Sequence, residues 1–304
     1  MLNGVIIGLV QGILEWLPVS SEGAVWLTIN QLQDISFETG VKYALFVHLA
    51  TAPSAILVFR KQIFDMIRNL IFKPSRPDSV TVFFAISFVV SGLFGLAIIK
   101  TVEIASPLIG SLGMLVIGVF LIITGFMSLF KSRYFQHMFL ESGQIYDLSF
   151  SEKATQGSVN LLMPTPPALD KRIKDRLSIP KKVLVDSLIL GLGQGLAVLP
   201  GLSRSGITIS LLLYRGVEKN KAVTMSFLMS IPASIAAALY SIFTNSDVSF
   251  STSILVSCLT AFIVGLVSIK IVLKFVSKLN LTFFIFASAI FVICGALFDV
   301  LVIR

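Results

Sequence analysis

The sequence predicts an all-α polytopic membrane protein with six transmembrane helices and two re-entrant helical hairpins, arranged as an inverted-topology repeat. Composition is the first reason. Of 304 residues, 55% are hydrophobic and 13% are charged, and the mean hydropathy is +0.92, whereas soluble domains carry about 25% charged residues. The second reason is a set of long charge-free runs. The third is a pair of apolar segments that are interrupted at their centres and resemble each other.

The predicted spans are six charge-free runs that approach or exceed the roughly 20 apolar residues a helix needs to cross a bilayer. They are Tyr43–Phe59, Ser79–Ile99, Ile104–Phe130, Ala222–Ser246, Val248–Ile269 and Leu279–Phe298.

Residues 1–32 and 184–214 are apolar too, but each is interrupted. The first contains Glu15, Pro18 and Glu22, and the second contains Pro200-Gly201 and Arg204. Proline interrupts a helix, and backbone outside a helix is tolerated at membrane depth only where protein or water lines it. Each segment is therefore predicted to be a re-entrant hairpin. The alternative is a pair of kinked helices that cross the membrane.

Lys and Arg, which favour the cytoplasmic side, support the hairpins. If residues 60–78 are cytoplasmic, the basic segments 131–182, 215–221 and 270–278 lie on the same side. Of the 24 Lys and Arg residues, only Lys42, Lys100, Arg204 and Arg304 then lie elsewhere. This topology places both termini outside, and it requires both interrupted segments to return to their side of entry.

The two halves of the chain share a pattern. Gly8-Leu9-Val10-Gln11-Gly12 matches Gly191-Leu192-Gly193-Gln194-Gly195, and a Leu-Pro pair and a Ser-rich turn follow each. Three crossings separate the two copies, so the second is inverted, and interrupted helices at corresponding places of inverted halves indicate a mid-membrane site. The alternative is coincidental Gly and Pro spacing. The predicted organisation is a first repeat over 1–130, a cytoplasmic connector over 131–182 and a second repeat over 183–304.

Arg204 is the first candidate site residue, because a guanidinium keeps its charge and suits phosphate or carboxylate oxygens. A helix that begins near Ser205 would add free N–H groups. The alternative is that Arg204 only pairs with Glu15 or Glu22. Its neighbours with small side chains or hydroxyls, predicted to bind the substrate, are Gly201, Ser203, Ser205, Gly206 and Thr208.

Glu15 and Glu22 are the second pair of candidates, since intramembrane carboxylates are functional by default. Beside an anion, either one is protonated or a divalent cation lies between them and the ligand. Ser20 and Ser21 lie between the two acids; one is a candidate nucleophile with Glu15 as its base, and the other is expected to cap a helix. Gln11 shares a helix face with Glu15.

Together, the two motifs resemble the undecaprenyl pyrophosphate phosphatase family of the bacitracin-resistance type. The matching stretches are QGILEWLPVSSEG at 11–23, PGLSRSGIT at 200–208 and SFLMSIPAS at 226–234. The resemblance implies a multi-pass enzyme of the cell (plasma) membrane, with its site facing the outer side. It would remove the terminal phosphate of a long polyprenyl diphosphate and so recycle the lipid carrier of cell-envelope glycans. Glu15, Ser21 and Arg204 would be catalytic, Gln11, Ser20 and Glu22 would contact substrate, and Mg²⁺ or Ca²⁺ held by Glu15 and Glu22 would assist.

The chain departs from the family pattern at three positions. Ala24 stands where the family usually has His directly after the motif's Gly, Glu22 replaces a small residue, and Gln11 takes the first acidic position. We hypothesise that Glu22, or as second choice His48 on the neighbouring span, performs the missing proton or metal chemistry. The alternative for His48 is that it only packs between helices.

Two other functions share these features. An inverted repeat with interrupted helices is also typical of transporters, so a polyprenyl-phosphate flippase is one alternative. A catalytically idle lipid-phosphate binder is another. The expected partners are a polyprenyl diphosphate and the membrane, with no nucleic acid, and a homodimer is also considered.

Overall fold

A computed structural model describes residues 1–32, 37–72, 78–109, 181–199, 202–244 and 252–275, with isolated positions at 119, 122–123, 278, 283, 286–287 and 290. Across these residues the chain is helical and contains no strand. The predicted connector up to residue 180, most of the span predicted at 104–130 and most of that at 279–298 lie outside the described residues.

Ten α-helices are described. They are α1 Leu2–Leu14, α2 Ser21–Leu32, α3 Phe37–Val47, α4 Ala52–Val58, α5 Arg60–Phe72, α6 Ser79–Ile109, α7 Lys181–Leu196, α8 Arg204–Tyr214, α9 Lys219–Thr244 and α10 Thr252–Phe275. A short 3-10 turn, His48–Ala50, joins α3 to α4.

Three described helices are long and apolar enough to cross a membrane: Ser79–Thr101, Lys219–Phe243 and Thr252–Phe275. They correspond to three of the predicted spans. The sequence predicts that the first ends at Ile99, but α6 continues past Lys100 to Ile109. A single lysine does not end a helix, because its long stem lets the ammonium group reach water from an apolar surface.

The predicted span Tyr43–Phe59 is not one straight helix. It contains the 3-10 turn between α3 and α4, and the chain then bends by 84° into α5. Residues 60–72, which the sequence places in a cytoplasmic loop, therefore form a helix that turns away from the preceding one.

Both interrupted segments have the predicted helix–break–helix form. Residues 15–20 separate α1 from α2, and residues 197–203 separate α7 from α8. A serine ends each break by capping the next helix: Ser20 Oγ accepts from the Gly23 N–H at 3.1 Å, and Ser203 Oγ accepts from the Gly206 N–H at 3.0 Å. Such caps satisfy N–H groups that the first helical turn leaves without partners.

The first helix of each interrupted segment packs on a long helix from the other half of the chain. Helix α1 lies along α10, and α7 lies along α6. Glycines allow both approaches: a Cβ on Gly8 would lie 2.5 Å from the Ser257 carbonyl oxygen, and one on Gly191 would lie 2.9 Å from that of Ser87. Small residues at helix contacts in membranes allow backbones to come this close.

The two breaks lie inside the protein. Trp16, in the first break, is 1% exposed and packs edge-on against Phe227 of α9, with ring centroids 5.2 Å apart. Val19 and Ala197 are buried as well. The backbone of the first break, and the described ends of the second at residues 197 and 202–203, are therefore packed in protein, which is the condition for irregular backbone at membrane depth.

We expect Gly8→Val to destabilise the protein, because its side chain would meet the Ser257 carbonyl and Thr260 Cβ, 2.5 and 2.6 Å from the first added carbon. Overpacking of this kind costs about 1–3 kcal/mol. Gly92→Val is the matched control, since nothing lies within 4 Å of a Cβ there. Thermal unfolding in detergent measures both, and equal midpoints for the two variants would contradict the close packing of α1 on α10.

Candidate active site

The two breaks meet at a polar cleft of about 240 Å³, which includes the open space at its mouth. The lining comes from the first interrupted segment, from the 3-10 turn and from the second interrupted segment. Its residues are Glu15, Val19, Ser20, Ser21, Glu22, His48, Leu202, Arg204 and Ser205.

Hydrogen bonds hold the two breaks together. The Ser203 hydroxyl donates to the Val19 carbonyl at 3.0 Å, and the Ser205 hydroxyl donates to the Leu17 carbonyl at 2.7 Å. Both donors flank Arg204 at the start of α8, and both acceptors lie in the first break. These bonds satisfy carbonyls that Pro18 and the turn exclude from a helix, and they fix Arg204 opposite residues 15–21.

Arg204 forms an ion pair with Glu15 through Nη2 and Oε1. Its Nη1 donates to the Ser234 hydroxyl at 3.0 Å and approaches the Ser230 carbonyl at 3.4 Å. The ion pair with Glu15, which the sequence offers as the alternative role of Arg204, is thus present. The guanidinium has five N–H groups, its side chain is 16% exposed, and it lines the cleft, so it can also meet an anion.

Glu15 is the centre of the cluster and its side chain is fully buried. Oε1 faces Arg204, whereas Oε2 accepts from Gln11 Nε2 at 2.9 Å and lies 2.9 Å from Ser21 Oγ. The spacing of four residues between Gln11 and Glu15 on α1 produces this contact, as the sequence predicts.

His48 lies on the cleft although its own segment is apolar. Its Nε2 is 3.2 Å from Ser21 Oγ, 3.2 Å from Glu15 Oε2 and 3.8 Å from Glu22 Oε1. Glu22 and His48 are the two candidates to replace the histidine that the family usually has. Of these, His48 is the one in contact with Ser21. The Glu22 side chain has no other ion pair or hydrogen bond to the described residues, and it faces the cleft, 19% exposed.

The two serines have different environments. The Ser20 hydroxyl caps α2, whereas Ser21 Oγ lies against Glu15 and His48. The structure therefore favours Ser20 as the capping residue and Ser21 as the candidate nucleophile.

Three other predicted contacts with substrate do not face the cleft or are not described. Thr208 Oγ1 donates to the Arg204 carbonyl at 2.8 Å, lies 2.6 Å from Ser226 Oγ and is fully buried. The Gly206 N–H is used in the cap of α8. Gly201 lies outside the described residues. Thr208 and Gly206 thus hold α8 in place and do not line the cleft.

Ser230 and Ser234 are the residues that sequence reasoning missed. They lie on either side of Pro232, inside α9, and hold the second nitrogen of the Arg204 guanidinium. The stretch SFLMSIPAS, which contains both serines, carries the family resemblance but gives no sign of their contact with Arg204.

The predicted divalent cation would lie between Glu15 and Glu22. In the part of the chain that the structure describes, no three His, Cys, Asp or Glu side chains are grouped so as to hold a metal ion. Glu15 already accepts from Arg204 and Gln11, so the two carboxylates do not fit a bridging cation in this arrangement. The cation stays a prediction, and no step below passes through it.

Comparisons with known proteins identify the family of the chain. The profile of the family described as "Bacitracin resistance protein BacA" matches residues 4–294. An undecaprenyl-diphosphatase of Methanococcoides burtonii is 31% identical over 290 residues, which cover 93% of this chain and 93% of that protein. One of Saccharolobus solfataricus is 31% identical and covers 90% and 88%, and one of Treponema denticola is 28% identical and covers 93% and 92%.

Proposed function

The chain belongs to the bacitracin resistance protein BacA family, and from that premise we propose that it is an integral membrane undecaprenyl-diphosphatase. It hydrolyses undecaprenyl diphosphate to the monophosphate and inorganic phosphate. One observation carries the proposal beyond the names of the relatives: Arg204, Glu15, Ser21 and His48 surround a single cleft between two interrupted helices. This cleft combines a cation for phosphate with a hydroxyl that contacts proton acceptors.

The diphosphate binds at the start of α8. Arg204 supplies charge-assisted hydrogen bonds, and the first turn of α8 directs its positive dipole end to the same place. Positive charge aimed at the transferring phosphoryl group is the main catalytic effect expected in phosphoryl transfer. The prenyl tail remains in the lipid phase, because the cleft is polar and small.

The reaction uses the Ser21 hydroxyl as nucleophile. Oγ forms a bond to the terminal phosphorus as the bond to the bridging oxygen breaks, and undecaprenyl phosphate leaves. Water then attacks the phosphoserine, inorganic phosphate is released, and Oγ regains a proton. The other route is direct attack by water in the same cleft, with Glu15 orienting the water.

The membrane topology is part of this proposal: six spans, two re-entrant hairpins and an inverted repeat in the plasma membrane, with the cleft facing the outer side. The reciprocal packing of α1 on α10 and of α7 on α6 supports the repeat. The connector, the homodimer and the divalent cation keep the status of predictions from the sequence.

The Ser21 contacts favour hydrolysis over transport. A flippase needs a cationic site for the headgroup but no hydroxyl held against a carboxylate and an imidazole. Ser21 has both, at 2.9 and 3.2 Å. Such a nucleophile–base contact is the signature of covalent catalysis.

Arg204→Ala tests the proposal in purified protein in detergent, with phosphate release from undecaprenyl diphosphate as the assay. We expect a loss of roughly 10²–10³-fold, the usual effect of removing one group that stabilises transition-state charge. Lys270→Ala on the exposed side of α10 is the control and should keep full activity. An assay series with a chelator and with added Mg²⁺ or Ca²⁺ tests the predicted cation separately.

Three results would contradict the proposal. Full activity in Arg204→Ala would remove the guanidinium from the reaction. Tight binding of the diphosphate without phosphate release would identify an idle binder. Movement of the lipid across a vesicle membrane without phosphate release would identify a flippase.

Ser21→Ala tests the nucleophile, with Ser20→Ala as its neighbour and control. We expect Ser21→Ala to lower kcat by roughly two orders of magnitude or more. Ser20→Ala should mainly lower stability, by about 1 kcal/mol, because it removes the cap of α2. Acid quenching with labelled diphosphate should trap phosphoserine in the wild type and in Ser20→Ala but not in Ser21→Ala. Substantial turnover by Ser21→Ala would favour attack by water.

A further inference from the structure

We propose that His48 is the catalytic proton acceptor for Ser21, an inference that rests on the proposed phosphatase function. The imidazole belongs to neither of the two motifs. It comes from the 3-10 turn between α3 and α4, is 3% exposed, and reaches the cleft beside Ser21.

The orientation of the ring is fixed by the backbone. Nδ1 lies 2.7 Å from the Ala44 carbonyl oxygen, and a carbonyl can only accept a hydrogen bond. Nδ1 therefore carries a hydrogen. In the neutral imidazole Nε2 then has none, and its lone pair faces the Ser21 hydroxyl.

Ser21 has one hydroxyl hydrogen and two acceptors within reach, Glu15 Oε2 at 2.9 Å and His48 Nε2 at 3.2 Å. The carboxylate is already engaged, since Arg204 binds one oxygen and Gln11 donates to the other. Oε2 can still accept from Ser21, but a carboxylate paired with an arginine is a weaker base than a neutral imidazole. Of the two acceptors described beside Ser21, His48 is therefore the one better suited to take the proton.

The step balances within the cleft. As Oγ bonds to phosphorus and the bridging P–O bond breaks, the hydroxyl proton moves to Nε2. The imidazolium that forms has Glu15 Oε2 at 3.2 Å and Glu22 Oε1 at 3.8 Å, so two carboxylates face the new positive charge. When water attacks the phosphoserine, a proton of that water returns to Oγ as the P–Oγ bond breaks. The imidazolium gives up its own proton to the released phosphate.

His48→Gln and His48→Ala test this role, with phosphate release from undecaprenyl diphosphate as the assay. Glutamine keeps a polar side chain that can hydrogen-bond to Ser21 but cannot take its proton. We expect His48→Gln to lower kcat by roughly 10²–10⁴-fold, the usual range for a general base, with KM within a few-fold of the wild type. Imidazole added to His48→Ala should restore turnover, whereas thiazole, a ring of the same shape and far lower basicity, should not.

The outcomes separate this proposal from the function on which it rests. If the wild type releases no phosphate, the phosphatase function fails. If the wild type is active and His48→Gln retains turnover within about threefold, or if thiazole rescues as well as imidazole, His48 only shapes the site and our proposal is overturned. Thermal unfolding of each variant shows whether a loss of activity is a loss of fold, and His48→Gln serves if His48→Ala does not fold.

A separate feature, helix α5, supports a second proposal: we infer that α5 lies in the membrane interface and binds anionic phospholipid headgroups. None of its residues is buried. Ile63 and Met66 pack against the protein core. Phe64, Ile67 and Ile71, on the adjoining face, are 64%, 52% and 63% exposed.

The bend and the charges indicate that phospholipid covers the exposed apolar face of α5. An 84° turn separates α5 from the preceding helix, so α5 runs across the direction of that helix, as an interfacial helix does. Its exposed basic residues are Arg60, Lys61 and Arg68, against one acid, Asp65. A helix with an apolar face and a basic polar face lies at the boundary of headgroups and acyl chains and favours anionic lipids.

The test uses the full chain in phosphatidylcholine vesicles that contain a minority of phosphatidylglycerol. Spin-labelled lipids report the preference of the protein surface for each headgroup. We expect R60Q/K61Q/R68Q to reduce the preference for phosphatidylglycerol at least about threefold. The matched control R60K/R68K keeps all three positive charges of α5 and should change it little. An equal effect of both variants overturns the proposal.

A fluorophore tests the depth of the apolar face. Phe64→Cys and Lys61→Cys, each in a chain with Cys258 and Cys294 replaced by Ser, are labelled with a polarity-sensitive dye. The dye at position 64 should be quenched by spin labels on the lipid chains, and the dye at position 61 should not. Equal quenching at both positions overturns the interfacial placement of α5.

Discussion

The ion pair between Arg204 and Glu15 is the interaction on which the rest of the structure depends. Each charge alone would be expensive in an apolar interior, and a buried pair is tolerated only when further hydrogen bonds satisfy both partners. Gln11 and Ser21 donate hydrogen bonds to the carboxylate. The Ser230 carbonyl and the Ser234 hydroxyl accept hydrogen bonds from the guanidinium. The pair joins the two halves of the chain at the point where both lack regular helix, and it provides the charge that a phosphate requires.

Helix packing brings the pair together. The glycine-lined faces of α1 and α7 hold the helix before each break against α10 and α6, respectively. Each half of the chain thus supports the interrupted segment of the other half. The Ser203 and Ser205 bonds to carbonyls of the first break then fix the approach to within hydrogen-bonding distance.

Sequence reasoning identified Glu15, Ser21 and Arg204 because polar residues are conspicuous in apolar runs: burying them is costly, so they are rare there without a reason. It ranked His48 behind Glu22, because a histidine in an apolar helix has the same local sequence whether it packs between helices or reaches a cleft. The 3-10 turn and the Ala44 carbonyl decide that. The sequence does not predict the contacts of Ser230 and Ser234 with Arg204 for a similar reason: small hydroxyl residues are common in membrane helices.

The sequence by itself determined that the chain is helical and apolar and where its two interruptions fall, and it revealed the family resemblance through the motifs around them. The length of an apolar run, and the free energy that a charge within it costs, depend on the local sequence. Both can therefore be read along the chain. Only the tertiary structure decided which serine caps a helix and which faces Glu15, that α5 turns by 84°, and that His48 reaches Ser21. These depend on contacts between residues that are distant in sequence, and such distances are set by how helices pack and not by any one segment.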